Sequence, residues 1–100
     1  MIVFNTTYLV SLEVHDMWLQ WISFRYIPAM LATSFFKEPR LFKVMVEEKE
    51  GITYSLQFSA QNMEMVRQWQ QQYQDEMNND LRETFGESVV FFSTFLEEIK

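Results

Sequence analysis

The sequence predicts a mixed α and β domain with the element order strand, helix, strand, strand, helix, strand. Three observations lead there. Apolar residues alternate with period two in three stretches, fill a fourth on both faces and recur at three and four residues in two others, and the only glycines, Gly51 and Gly86, fall at junctions between such stretches. With 100 residues, the chain can bury one compact core and not two, so residues 1–100 are read as a single domain.

From Ile2 to Leu12 the even positions are Ile2, Phe4, Thr6, Tyr8, Val10 and Leu12, the pattern of a strand with one buried face. The period then changes: Val14, Trp18, Trp21, Ile22 and Arg25 share one helical face, and Glu13 and Asp16 suit the positive end of its dipole. After Pro39 alternation returns, with Phe42, Val44 and Val46 on one side of a second strand and Leu41, Lys43, Met45 and Glu47 on the other. Lys49, Glu50 and Gly51 are expected to form a short loop in which the glycine takes a positive φ. A third strand follows, setting Ile52, Tyr54, Leu56 and Phe58 against Thr53, Ser55, Gln57 and Ser59. Asn62 is placed to cap a second helix, whose apolar face is Val66, Trp69, Tyr73, Met77 and Leu81 and which ends at Gly86. Its other face, including Arg67, Gln68, Gln71, Gln72, Asp75, Asn78, Asn79 and Arg82, belongs in water. The last strand is apolar on both faces, Val89, Phe91 and Phe95 opposing Val90, Phe92 and Leu96, and is expected to be buried on both sides.

This order is the split βαβ, or ferredoxin-like, arrangement: a four-stranded antiparallel sheet with both helices on one face. The other face would be bare, yet the last strand and Leu41 and Met45 of the second make it apolar. Such a face needs a cover. A second copy of the chain is the simplest, because a two-fold axis lets one patch meet itself, so a homodimer packed sheet against sheet is expected.

Charge and composition exclude several functions. Fourteen acidic residues against eight basic ones, net −6, do not suit phosphate neutralisation, so nucleic acid is a poor partner. Lys37, Arg40 and Lys43 are the nearest thing to a basic patch, soon followed by Glu47, Glu48 and Glu50. No cysteine is present, which removes disulfides, thiolate catalysis and thiolate-bound zinc. Neither a secretory leader nor an apolar run of the ~18 residues a spanning helix needs is visible, so a complete, cytoplasmic chain with no membrane partner is expected. Asn5-Thr6-Thr7 matches a glycosylation pattern but lies inside a strand.

Pro28 interrupts a helical run. Proline lacks the backbone donor and disfavours helical geometry in the residue before it, so the first helix is expected to break or kink at Tyr26 or Ile27, with Pro28 opening a short second segment. The break would either steer the chain or expose polar groups at the mouth of a cavity between helix and sheet.

The stretches HDMWLQWISFRYIPAMLAT, RLFKVMVEE and TYSLQF resemble an uncharacterised bacterial family of small domains of unknown function in the dimeric α/β-barrel group. The resemblance is carried by His15, Trp18, Trp21, Ile27-Pro28, Ala32-Thr33 and Thr53-Tyr54-Ser55. It implies a ferredoxin-like protomer, a sheet-to-sheet dimer and no assigned activity. Relatives often carry histidine directly before Ile-Pro, where this chain has Tyr26, and glycine after Ala-Thr, where it has Ser34. The wider group includes cofactor-independent monooxygenases and haem-degrading enzymes. The latter are similar to this chain in an asparagine on the first strand, here Asn5, and a tryptophan on the second helix, here Trp69. They also need an iron-binding histidine on that helix, and none lies between Asn62 and Phe85. No cofactor is implied.

His15 is the only histidine, too few for a metal site with Glu13 and Asp16 as its only close carboxylates. As a general base it needs no second ligand, so His15 and Tyr26 are the catalytic candidates, against a plain structural role for both. No Gly-x-Ser-x-Gly elbow or Gly-rich phosphate loop exists. Trp18, Trp21, Arg25, Tyr26, Tyr54 and Gln57 are the candidate ligand-binding residues; the alternative is that the aromatics are core and Gln57 lies on the dimer side of the sheet. Three functions remain: a homodimeric domain binding a small apolar or aromatic molecule, with a cavity beside Trp18, Tyr26 and Tyr54; a structural or interaction module with a filled interior; and a cofactor-independent, monooxygenase-like enzyme using His15 or Tyr26 in proton transfer.

Overall fold

The computed structural model describes residues 1–46 and 49–100. Strands β1 (Ile2–Ser11), β2 (Lys37–Lys43), β3 (Gly51–Ala60) and β4 (Val89–Glu97) form one antiparallel sheet in the order β2-β3-β1-β4. This is the ferredoxin-like topology. Phe4 of β1 lies opposite Phe58 and Phe95, and Tyr8 lies opposite Tyr54 and Phe91, so one sheet face carries an aromatic layer. Trp18 packs on Tyr8 and Trp69 on Phe4, which places both helical segments on that same face. The predicted α+β sandwich is therefore the observed one.

The first helical segment runs through one tight turn at Leu12–Val14, α1 (His15–Trp21), a π-helical turn at Ile22–Tyr26 and α2 (Ile27–Ala32). The expected irregularity at Tyr26 and Ile27 is this π-helical turn, after which Pro28 stands in the first turn of α2, and the helix is not broken. Tyr26 stays helical at φ −69 and ψ −52, and the Ile27 N–H bonds the carbonyl of Ile22, five residues back. The reason is geometric: in an ordinary α-helix the proline ring would strike the carbonyl four residues earlier, that of Phe24, and a wider turn just before it gives the ring room. The segment ends where Ser34 turns to φ +67, after Thr33 N–H and Ser34 N–H have bonded the carbonyls of Met30 and Leu31, each at 3.2 Å.

The second segment starts as expected, with Asn62 Oδ1 accepting from the Met65 N–H at 3.0 Å. It comprises α3 (Met63–Trp69), a second π-helical turn at Gln70–Gln74 and α4 (Asp75–Phe85), and ends at Gly86, whose φ of +56 suits glycine. Gly51 plays another part than the one its position suggested. It begins β3 rather than turning a loop, and a Cβ there would lie 2.7 Å from the Val10 carbonyl oxygen.

Two strand assignments change. Leu41 pairs with the buried Leu56, whereas Phe42 pairs with Ser55, so Phe42 and not Leu41 lies on the uncovered face. Alternation separates two faces without saying which one is inward, and β2 begins before Pro39, with a register irregularity between Lys37 and Arg40. Met45 lies beyond the end of β2; Glu47, assigned to that strand by its alternation, and Glu48 are outside the described residues. In β4 only Val89 is buried within the protomer, while Val90, Phe92 and Leu96 are 59%, 62% and 48% exposed.

Candidate functional site

The two π-helical turns flank one groove between the helical segments, of about 910 Å³. The first turn supplies Arg25 and Tyr26, the second supplies Tyr73, and α2 adds the small side chains Ala29 and Ala32. The opposite wall is α4, with Glu76, Met77, Asp80 and Glu83. Tyr26, 7% exposed, lies deepest, its ring stacked on Trp21 at 5.3 Å. Arg25 Nη2 donates to Asp80 Oδ1 at 2.8 Å, tying the two walls together.

Below Tyr26 the interior is polar where a core usually is not. The hydroxyls of Tyr26, Tyr8 and Thr6 lie near one another, and that of Thr6 is 2.9 Å from the hydroxyl of Ser93. Burial pushes both tyrosines above the ordinary phenol value, Tyr8 further by its charge interaction with Tyr26. Both therefore remain neutral hydrogen-bonding groups at physiological pH. The indole N–H groups of Trp18, Trp21 and Trp69 are buried without a protein acceptor, at a cost of ~1–3 kcal/mol each.

A second cluster lies where α1 meets β3. His15 Nε2 is 2.7 Å from Tyr54 Oη, and His15 Nδ1 is 3.1 Å from Asp16 Oδ1. A carboxylate can only accept, so in neutral His15 the Nδ1–H donates to Asp16 and Nε2 accepts from the Tyr54 hydroxyl. Burial raises the Tyr54 phenol, and the Asp16 charge adds to this.

The expected ligand residues thus divide. Arg25 and Tyr26 line the groove, with Trp21 behind Tyr26; Trp18 and Tyr54 pack on each other at 4.9 Å and do not reach the groove. Gln57 is on the uncovered sheet face, where its amide and the Ser55 hydroxyl both donate to Asn5 Oδ1 and Asn5 Nδ2 donates to Thr94. Asn5 and Trp69 are consequently on opposite faces of the sheet, so the pairing that likened this chain to haem-degrading enzymes does not form one site. Among the described residues no three His, Asp or Glu side chains gather as metal ligands, and no helix is long and apolar enough to cross a membrane. Sequence reasoning missed Tyr73, which read as part of the second helix's apolar face, and Glu76, Asp80 and Glu83, which were assigned to neither face.

Fold and groove define a ferredoxin-like α+β protein with an inter-helical cleft. The chain belongs to the family of domains of unknown function DUF4286, whose model matches residues 1–99. No curated protein matches it. Three solved structures share its fold. A dimeric ferredoxin-like protein from an uncultured marine organism has TM-score 0.67 and 13% identity, the match covering 100% of this chain and 96% of that one. An ethyl tert-butyl ether D family protein from Bacillus halodurans has TM-score 0.70 and 11% identity, covering 99% and 100%. An antibiotic biosynthesis monooxygenase-like protein from Bacillus cereus has TM-score 0.60 and 10% identity, covering 99% and 95%.

Proposed function

We propose that this domain is a homodimer, joined sheet to sheet, in which each protomer binds a small molecule with an apolar or aromatic body in its inter-helical groove. The observation that carries the reading is the pair of π-helical turns on the two sides of one groove. Such turns interrupt regular hydrogen bonding and occur disproportionately at functional sites. Here they bring Arg25, Tyr26 and Tyr73 to a groove whose size suits a drug-sized ligand. Dimerisation is supported by the exposed Phe42, Val90, Phe92 and Leu96 on one sheet face, and by the dimeric state named for one structural neighbour.

Native mass spectrometry of protein purified from its own cells tests both parts. A dimer with bound mass that is lost in Ala29→Trp, which fills the groove, would support the reading. A clean dimer would favour an interaction module instead, and a monomer would defeat the covered-sheet argument.

The Asp16–His15–Tyr54 chain favours a second reading, proton transfer in an enzyme, because the 2.7 Å contact gives the Tyr54 proton a ready acceptor. Binding ranks first, since the groove reaches neither His15 nor Tyr54. His15→Ala would abolish turnover without unfolding the dimer if the enzyme reading held.

A further inference from the structure

The two walls of the groove differ in charge. Glu76, Asp80 and Glu83 recur along α4 at spacings of four and three, which puts all three on one helical face, and all three line the groove. The facing wall offers Ala29, Ala32 and a single base, Arg25. Its guanidinium is already held by Asp80 at 2.8 Å. Three carboxylates against one guanidinium leave the lining at −2, and the described ion pairs include neither Glu76 nor Glu83. The rest of the lining contains the rings of Tyr26 and Tyr73 and the side chain of Met77, apolar surface for the body of a ligand.

We infer that the molecule this groove takes is an organic cation, an ammonium group on an apolar or aromatic body, with the ammonium at the acidic α4 wall beside Glu76 or Glu83 and the body against Tyr26, Tyr73 and Met77. This rests on the small-molecule reading above and narrows it. An anion would have to displace Asp80 from Arg25 and then sit among three carboxylates. A cation meets unpaired charge without breaking anything, and the net charge of −6 on the whole chain favours its approach.

Three probes sharing one phenylbutyl body separate charge from shape: the primary amine, the alcohol and the carboxylate, titrated calorimetrically into the full chain at low and high salt. The expected order is amine, alcohol, carboxylate, with the amine at least ~10-fold tighter than the alcohol and the gap narrowing in salt. In the double variant Glu76→Gln, Glu83→Gln the amine's advantage over the alcohol should vanish, with an unchanged thermal midpoint and far-UV circular dichroism showing that the fold is intact. Equal binding of amine and alcohol, a preference for the carboxylate, or an amine advantage that survives in the double variant would overturn the charge assignment and leave the groove as a binding site. Absence of binding by all three probes would overturn the small-molecule reading together with it.

Discussion

Replacing Phe92 with glutamate should dissociate the proposed dimer while leaving the protomer folded. Phe92 is 62% exposed in the protomer, opposite Thr7 on the uncovered sheet face. A phenylalanine offers ~200 Å² for burial, so covering the exposed part removes ~120 Å² from water in each copy. A two-fold axis counts this twice, and at ~25 cal/mol per Å² the pair is worth ~6 kcal/mol before the costs of association. Glutamate forfeits that contribution and places like charges on the two sides of one interface. If only half of the area term appears in the measured affinity, the dimer Kd still rises more than ~100-fold. Sedimentation equilibrium over a range of protein concentrations reads the change directly. Far-UV circular dichroism should stay the same, because the ring makes little of the protomer's own core. A dimer of unchanged affinity would refute the reasoning, for it would show that the two copies meet elsewhere.

Three further outcomes concern the protomer. Ser34→Gly should stabilise it by ~0.5–1 kcal/mol, since a non-glycine residue at φ +67 is strained there; a denaturation midpoint that stays put or falls would count against this. Gly51→Ala should cost ~1–3 kcal/mol, because the new Cβ would lie 2.7 Å from a backbone oxygen that can move only with β1; an unchanged urea midpoint would show that the β1–β3 contact yields easily. The contribution of Tyr8 and Tyr26 to stability should be constant below pH 10 and be lost above it. Tyr8 and Tyr26 keep their protons in the folded state where the unfolded chain, at its ordinary 10.0, releases them, so the stabilisation is lost as pH rises toward the folded values. Tyr26→Phe should make the alkaline decline shallower, as read by denaturation at successive pH values, and an equal slope would remove Tyr26 from the linkage.

Strand and helix order were legible because each element buries one face, so its period is printed in its residues. Ile2, Phe4, Thr6, Tyr8 and Val10 are all buried, as the alternation of β1 requires. Caps were legible for a local reason: Asn62 and Gly86 act on backbone within one turn of themselves. Which face of β2 looks inward was not, because that depends on Leu41 meeting Leu56 from a distant part of the chain. The relay from His15 to Tyr54 was out of reach for the same reason, its partners lying 39 residues apart. Both members had been singled out, but their pairing is a product of the helix lying across the sheet.

The π-helical turns left a trace in the sequence that the proline obscured. Trp18, Ile22, Tyr26 and Met30 are buried at strict intervals of four, and so are Trp69, Leu81 and Phe85 on a row that Tyr73 and Met77 complete. In an α-helix a step of four overshoots a full turn by about 40°, so five residues spaced this way would wander nearly halfway round the axis. They can stay on one side only if the helix takes up an extra residue on the way. Each segment does so once, within Ile22–Tyr26 and within Gln70–Gln74. In the first segment the wider turn also admits Pro28. The second contains no proline, so accommodating proline cannot be the general reason for these turns. What the two share is the groove between them, to which one contributes Arg25 and Tyr26 and the other Tyr73. Two interruptions of backbone bonding thus keep their buried rows on one side of each helix while facing each other across one cleft, the arrangement on which the proposed ligand-binding reading rests.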